Sequence, residues 1–241
     1  MSRLIAVMDT ETTGFDPADS GVVEVAVVYR DTNQLDPEKL DFEHSLVNPG
    51  HPIGVEAMAT HHITEDMVKD APDLQIALTR VLPALPDVTV WHNAAFDLGF
   101  MPEDIRELPH ICTWRCSMQL WPTAPSHKNG ALWYWLGLNH SMPAEAGSMP
   151  HRALFDSIMT ADLLGTMVQE VLARNPSVGD PIDHLIWLTQ QPVILDTVRF
   201  GKHKGMKWAE VPVDYMQWCL RQRDMDADVH ATCRFYMDGG R

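Results

Sequence analysis

Three short segments concentrate the residues that could do chemistry. They are Asp9-Thr10-Glu11-Thr12-Thr13-Gly14, His92-Asn93-Ala94-Ala95-Phe96-Asp97 and His151-Arg152-Ala153-Leu154-Phe155-Asp156. They hold four carboxylates spread over about 150 residues, with His151 shortly before the last. Carboxylates so far apart share a site only if a fold gathers them, and once gathered they repel unless a cation lies between them. A hard divalent ion with oxygen ligands, Mg²⁺ or Mn²⁺, answers that charge problem. A pair of such ions suits in-line displacement at a phosphodiester.

Each segment asks for a specific support. Asp9 and Glu11 are two residues apart at the end of an apolar run, so on a strand both point to one face. Gly14 lets the chain turn sharply, and the backbone beside it at Thr10, Thr12 and Thr13 can meet a terminal nucleotide. Asp97 falls at a strand-to-helix junction, where a carboxylate complements the helix dipole and Asn93 can cap the helix. His92 and Asn93 also serve to order the loop. His151 precedes a helix that contains Asp156, and a histidine there can deprotonate an attacking water.

The elements that must position these residues can be read from periodicity. Residues 3–10, 22–29 and 42–47 read as strands, closely spaced as in an antiparallel meander. A helix is expected over 72–85, with Asp73 at its start. A short strand over 88–91 leads into a helix over 96–101, and residues 110–112 form another short strand. The clearest helix spans 153–173, with Asp156 away from the centre of its apolar stripe. Residues 175–192 carry three prolines and are expected mostly to connect a first domain, 1–174, to a small C-terminal α+β unit, 193–241, although Ile182 to Leu188 could hold a helical turn. That unit is predicted to hold a strand over 194–200, a Gly- and Lys-rich turn, and helices over 213–221 and 226–236.

Composition bounds the function. The 241 residues are 45% hydrophobic, enough for a sizeable core. No apolar run approaches the roughly 20 residues that cross a bilayer, and the N-terminus does not read as a signal peptide. A soluble, cytoplasmic protein without membrane contact is expected. Cys112, Cys116, Cys219 and Cys233 read as reduced structural thiols; Cys112 and Cys116 near His110 lack the second pair that a zinc site needs. The formal net charge is −15, and −11 remains without the four proposed ligands, so a global field does not hold nucleic acid here. Local basicity is confined to Arg199-Phe-Gly-Lys202-His-Lys204-Gly-Met-Lys207, where Lys202 and Lys204 could hold phosphates.

Together, the order of the three segments, the Asp-x-Glu-Thr-Thr-Gly opening and the His-x4-Asp close resemble the DEDDh class of 3′→5′ exonucleases, the DnaQ-like or RNase T-like superfamily, over residues 3–172. The resemblance implies a ribonuclease H-like α/β fold, a mixed sheet flanked by helices. It implies Asp9, Glu11, Asp97 and Asp156 as ligands of two Mg²⁺ or Mn²⁺ ions, and His151, with Glu11, at the catalytic centre. The implied reaction is two-metal hydrolysis that releases nucleoside 5′-monophosphates from a 3′ end.

In the same resemblance Met58, His61 and Ile63 flank the terminal base or sugar, and Asn93 and Phe96 line the same region. Aromatic faces stack on any base, so the pocket is expected to tolerate sequence. Phe15, in the turn after the first segment, is expected beside the terminal base pair, where it helps fray it. The Phe-Gly-Lys-x-x-Gly block, Met58 to Thr64 and Ile111-Cys-Thr113 look like the exodeoxyribonuclease X group, which favours DNA 3′ ends, single-stranded or frayed. RNA 3′-end trimming and a proofreading subunit docked on a polymerase are the alternatives. Residues 31–41 insert an acidic segment to which no role is assigned.

Overall fold

A computed structural model of the chain describes residues 3–31, 41–139, 142–143, 146 and 151–240. The insertion noted above lies, over 32–40, outside the described residues. The chain divides into two compact units, Met1–Thr189 and Gln190–Arg241.

In the first unit, β1 (Leu4–Thr12), β2 (Val22–Asp31) and β3 (Asp41–Leu46) form the expected antiparallel meander. Short helices α1 (Val55–His61) and α2 (Glu65–Val68) follow, then α3 (Leu74–Val81), capped by Asp73, whose carboxylate accepts from Ile76 N–H at 2.9 Å. Next come β4 (Val88–Trp91), α4 (Ala94–Leu98), α5 (Glu103–Arg106), β5 (His110–Cys112), α6 (Thr113–Leu120) and α7 (Asn129–Trp135). The long helix α8 (Ala153–Arg174) and α9 (Pro181–Gln190) complete it. The sheet order is β3-β2-β1-β4-β5, with β4 and β5 parallel to β1.

The sheet is mixed because hairpin connections serve its antiparallel side and helical crossovers its parallel side. Its strands β1, β2 and β4 are buried on both faces, and the edge strand β3 is partly exposed. Ile5 and Val7 of β1 join Ala26, Val28, Val88 and Val90 against α8, whereas Ala6 and Met8 join Val25 and Val27 in a second cluster with Ala77, Leu78 and Leu98. Strand alternation continues these faces outward: Asp9 and Glu11 fall on the α8 side, and Thr10 on the opposite side. This architecture is the expected mixed sheet flanked by helices.

Several boundaries differ from the sequence-based reading. The helix expected over 96–101 runs instead from Ala94 to Leu98. Residues 175–192 are not merely a connection, because α9 lies within them and its Ile182, Leu185 and Leu188 belong to the core around α8. The helix expected over 72–85 stops at Val81; Leu82 leaves helical geometry with φ −129°, and Leu85 is exposed.

The second unit contains α10 (Val213–Arg221), α11 (Ala227–Met237) and two 3₁₀ turns, Gly201–His203 and Trp208–Glu210, around a core of Trp208, Met216, Cys219 and Cys233. The predicted strand over 194–200 does not form; a single bridge, Thr197–Lys207, stands in its place. The reason is visible in the backbone donors. Val193 N–H bonds Asp228 Oδ1 at 3.0 Å and Leu195 N–H bonds Thr232 Oγ1 at 2.9 Å, so α11 side chains take the groups that a partner strand would have used.

Candidate active site

The strand ends and α8 enclose a cleft of about 770 Å³. Asp9, Glu11, Asp97, His151 and Asp156 all line it. Asp9, Glu11 and Asp156 each place a carboxylate oxygen within 4.8 Å of the others. Alternation along β1 explains why that strand delivers two of them, and α8, packed across β1 and β2, delivers the third. Position on the α8 stripe did not promote Asp156. The helix is buried over most of its circumference, and Asp156, in its first turn, is its one residue that lines the cleft.

Asp97 is held separately. Its Oδ1 accepts from Thr10 Oγ1 at 2.7 Å and from Thr10 N–H at 3.2 Å. Thr10 is therefore a support for Asp97 and not a free substrate donor; its hydroxyl is spent inside the protein. Thr12 and Thr13 line the cleft too, but their hydroxyls fold the turn, Thr12 donating to Gly14 O at 2.7 Å and Thr13 accepting from Gly21 N–H at 3.0 Å. A Cβ at Gly14 would lie 2.5 Å from Ser20 Oγ, so any larger residue there would have to displace the Ser20 hydroxyl.

The electrostatics are those of a site prepared for cations. Burial, then repulsion by Asp97, Asp156 and Glu11, holds Asp9 well above the usual carboxylate range. Burial, followed by Asp156, Glu24 and Asp97, pushes Glu11 up to about 9. Asp97 is raised to about 7, chiefly by burial and against the two bonds from Thr10, and burial raises Asp156 to about 7 as well. Such shifts come from confining like charges in a partly dry space. Oxygen-only donors, close convergence and uncompensated negative charge fit hard divalent ions, which would be held by Asp9, Glu11 and Asp156, with Asp97 alongside.

His151 sits at the rim, exposed, and its backbone N–H donates to Asp156 Oδ2 at 3.3 Å. Its φ is +63°, and Asn93, also in the cleft wall, has φ +72°. Left-handed backbone at residues other than glycine is costly and gathers at functional sites. The Asn93 side chain makes no capping bond to α4, contrary to the capping expectation. His92 has the ordering role read for it: its Nε2 meets the His127 carbonyl at 3.0 Å and its Nδ1 meets Thr113 Oγ1 at 2.9 Å, while burial lowers its pKa to about 4. A carbonyl only accepts, so Nε2 carries the proton of the neutral ring.

The proposed substrate residues divide. Phe15 is 90% exposed, with its ring edge-on to Phe96 at 6.2 Å, so an aromatic pair stands at the rim. His61 lines the cleft; its Nδ1 accepts from Ile63 N–H at 2.9 Å, and its buried Nε2 has no partner among the described residues. Met58 and Ile63 do not line the cleft. Ile63 is fully buried with Val23, Ile53 and Val68, and Met58 packs on that cluster. The two apolar side chains turn inward, and of the three only His61, itself 1% exposed, borders the cleft. Lys202 and Lys204 are exposed in the second unit. Asn129 was not anticipated: its Nδ2 ties α7 to α8 through Asp156 O at 3.1 Å and Thr160 Oγ1 at 3.0 Å, and it lines the cleft. Glu24 and Arg152 were also missed, since a buried ion pair carries no local sequence signal.

Comparison with known proteins decides the family. The RNase_T exonuclease family matches residues 6–164. The chain belongs to this exonuclease family. Exodeoxyribonuclease 10 of Escherichia coli K12 is 31% identical over 239 residues, which cover 98% of this chain and 99% of that protein. A solved structure of exonuclease X in complex with 5′-overhanging duplex DNA superposes with TM-score 0.62 at 31% identity, over 77% of this chain and 99% of that one. A DNA polymerase III epsilon-like protein of Rhodobacter capsulatus is 36% identical over 180 residues, but these span only 24% of it. The chain is a 3′→5′ exonuclease, and the gathered carboxylates are its candidate catalytic centre.

Proposed function

We propose that this exonuclease removes nucleotides from DNA 3′ ends and releases nucleoside 5′-monophosphates. The observation that carries this reading is the convergence of Asp9, Glu11 and Asp156, with Asp97 and His151 in the same cleft, in a chain alignable end to end with an exodeoxyribonuclease. Asp9, Glu11, Asp97 and Asp156 would hold two Mg²⁺ or Mn²⁺ ions, which when bound would neutralise the cluster and polarise the phosphodiester. His151 accepts the proton of the attacking water; it is exposed at the rim and one hydrogen bond from Asp156. Glu11 serves beside it from the strand end. Phe15 and Phe96 stack on the terminal base or base pair, and the unpartnered His61 Nε2, with Asn93, meets the terminal nucleotide.

Lys202 and Lys204 then hold phosphates away from the chemistry. Charge segregation supports this assignment. The segment 190–241 has eight Lys and Arg residues against seven carboxylates, so the large negative excess lies entirely in residues 1–189. Among the described residues neither lysine has a carboxylate in salt-bridge range; Lys202 Nζ lies 5.4 Å from the Tyr215 ring centroid. The boundary near residue 189 supports a stand-alone enzyme with a C-terminal module over docking on a polymerase, because the match to exodeoxyribonuclease 10 runs through both units. Four buried free thiols are consistent with a reducing, cytoplasmic setting, and no helix among the described residues is long and apolar enough to cross a membrane.

The test is a ladder assay with matched 5′-labelled DNA and RNA oligonucleotides in Mg²⁺. Stepwise shortening of DNA, lost in EDTA, is expected. Preferred shortening of RNA would replace the substrate assignment, and turnover in EDTA would remove the metal assignment.

A further inference from the structure

One ion pair next to the cleft, between a buried carboxylate and a partly exposed arginine, has no part in that chemistry. Glu24, on β2, is 1% exposed and faces Glu11 across the β1–β2 ladder. Its Oε1 accepts from Arg152 Nη2 at 2.6 Å, and its Oε2 accepts from Arg152 Nε at 2.9 Å. Oε2 also accepts from Ala153 N–H at 2.9 Å. A carboxylate beside four others would be a natural fifth cation ligand, but both of its oxygens are engaged here.

We propose that the Glu24–Arg152 fork is a positioning device that seats His151 for catalysis. The assignment rests on His151 being the general base. Arg152 directly follows His151 and is the N-cap of α8, and its own side chain makes no capping bond. Glu24 supplies the missing cap from another strand: it takes the first helical N–H and complements the positive end of the helix dipole. The bidentate guanidinium fixes orientation as well as distance. His151 is thereby gripped from both sides, by its own N–H to Asp156 and by the fork on the next residue. Its left-handed backbone requires such over-determination. The β1–β2 register thus ties the metal-facing strand end and the base to one ladder position.

A bland reading makes the pair a helix anchor alone. Four proteins separate the two: wild type, His151→Ala, the double variant Glu24→Leu with Arg152→Met, and the triple variant. Replacing both partners avoids a stranded buried charge, so the double variant is expected to fold. Its kcat on 5′-labelled DNA in Mg²⁺ should fall about 10- to 100-fold, the range for lost support of a catalytic group, with KM changed less than about twofold. The triple variant should be no slower than His151→Ala alone. In metal-free protein, hydrogen exchange of the Ala153 amide should accelerate at least about tenfold in the double variant once its acceptor is gone.

Wild-type kcat in the folded double variant, losses that multiply in the His151→Ala background, or unchanged Ala153 exchange would each overturn the proposal. Full activity of His151→Ala would overturn the base assignment and the positioning role together, whereas a slow His151→Ala beside a fast double variant removes the positioning role alone. Should the double variant not fold, Arg152→Lys keeps the charge and loses the fork; reduced kcat at unchanged melting temperature supports the proposal, and wild-type kcat sinks it.

Discussion

Replacing Asp156 by Asn should abolish hydrolysis and yet stabilise the metal-free protein at alkaline pH. Asp156 titrates at about 7 in the folded chain, against an ordinary 3.8, because burial penalises its charge. Between those values the folded state keeps a proton that the unfolded state has released. Stability therefore falls as pH rises through this window, and the full penalty is present above pH 7. Roughly three units at about 1.36 kcal/mol each give an upper bound near 4 kcal/mol. The cleft admits water and its carboxylates titrate together, so about 2 kcal/mol is the working figure. An amide never ionises and can still accept the His151 N–H bond. For a unit of this size about 2 kcal/mol corresponds to a melting temperature higher by roughly 4–8 °C.

The assay is thermal unfolding followed by circular dichroism in EDTA at pH 8 and again at pH 4, then in Mg²⁺ at pH 8. Asp156→Asn should melt above wild type at pH 8 in EDTA, and the advantage should vanish at pH 4, where the wild-type carboxyl is already neutral. Mg²⁺ should raise the wild type more than the variant, since a ligand that binds only the folded state stabilises it in proportion to its affinity. A variant that melts below wild type in EDTA at pH 8, or one whose advantage persists at pH 4, would refute the argument that burial penalises the charge of Asp156 in a partly dry site.

Other outcomes follow from the same geometry. Thr10→Val removes the 2.7 Å bond to Asp97 and should raise the Mg²⁺ concentration for half-maximal activity about 10-fold; an unchanged Mg²⁺ titration would show that the bond does not tune Asp97. Activity at limiting Mg²⁺ should fall as pH drops below 7, because Asp97 and Asp156 take up protons there, and saturating Mg²⁺ should restore part of it; a loss that Mg²⁺ does not relieve contradicts competition between protons and metal. Phe15→Ala should slow digestion of duplex ends several-fold more than of single strands, given a 90% exposed ring at the rim; equal rates on both would remove its fraying role. The pair Lys202→Glu with Lys204→Glu should raise KM for DNA and flatten its salt dependence without lowering kcat, and an unchanged salt slope would leave these lysines as solvated surface.

The legible parts of this protein were those with a local cause. The first three strands, the cap at Asp73 and the course of α8 follow from alternation, capping chemistry and periodicity within each segment. The strand expected over 194–200 failed for a non-local reason, since α11 side chains captured its backbone donors. Helix α9 was undervalued because prolines at 176, 181 and 192 suggested a linker, while Pro181 simply occupies the first position of the helix, where a missing N–H costs nothing. Met58 and Ile63 were assigned to the substrate by their place beside His61, but an apolar side chain next to a cleft lowers its energy by turning into the core.

What the sequence by itself determined is the class of enzyme. Four carboxylates and a histidine, in that order and with those neighbours, mark the exonuclease family, and that signature is written in residue type. Only the tertiary structure decided how each group is used. Thr10 turns from a substrate contact into the support of Asp97, and Glu24, one more acid in the sequence, becomes an anchor because Arg152 and Ala153 occupy both its oxygens. A buried polar group takes its role from the partner that satisfies it, and in this fold those partners lie more than eighty residues away.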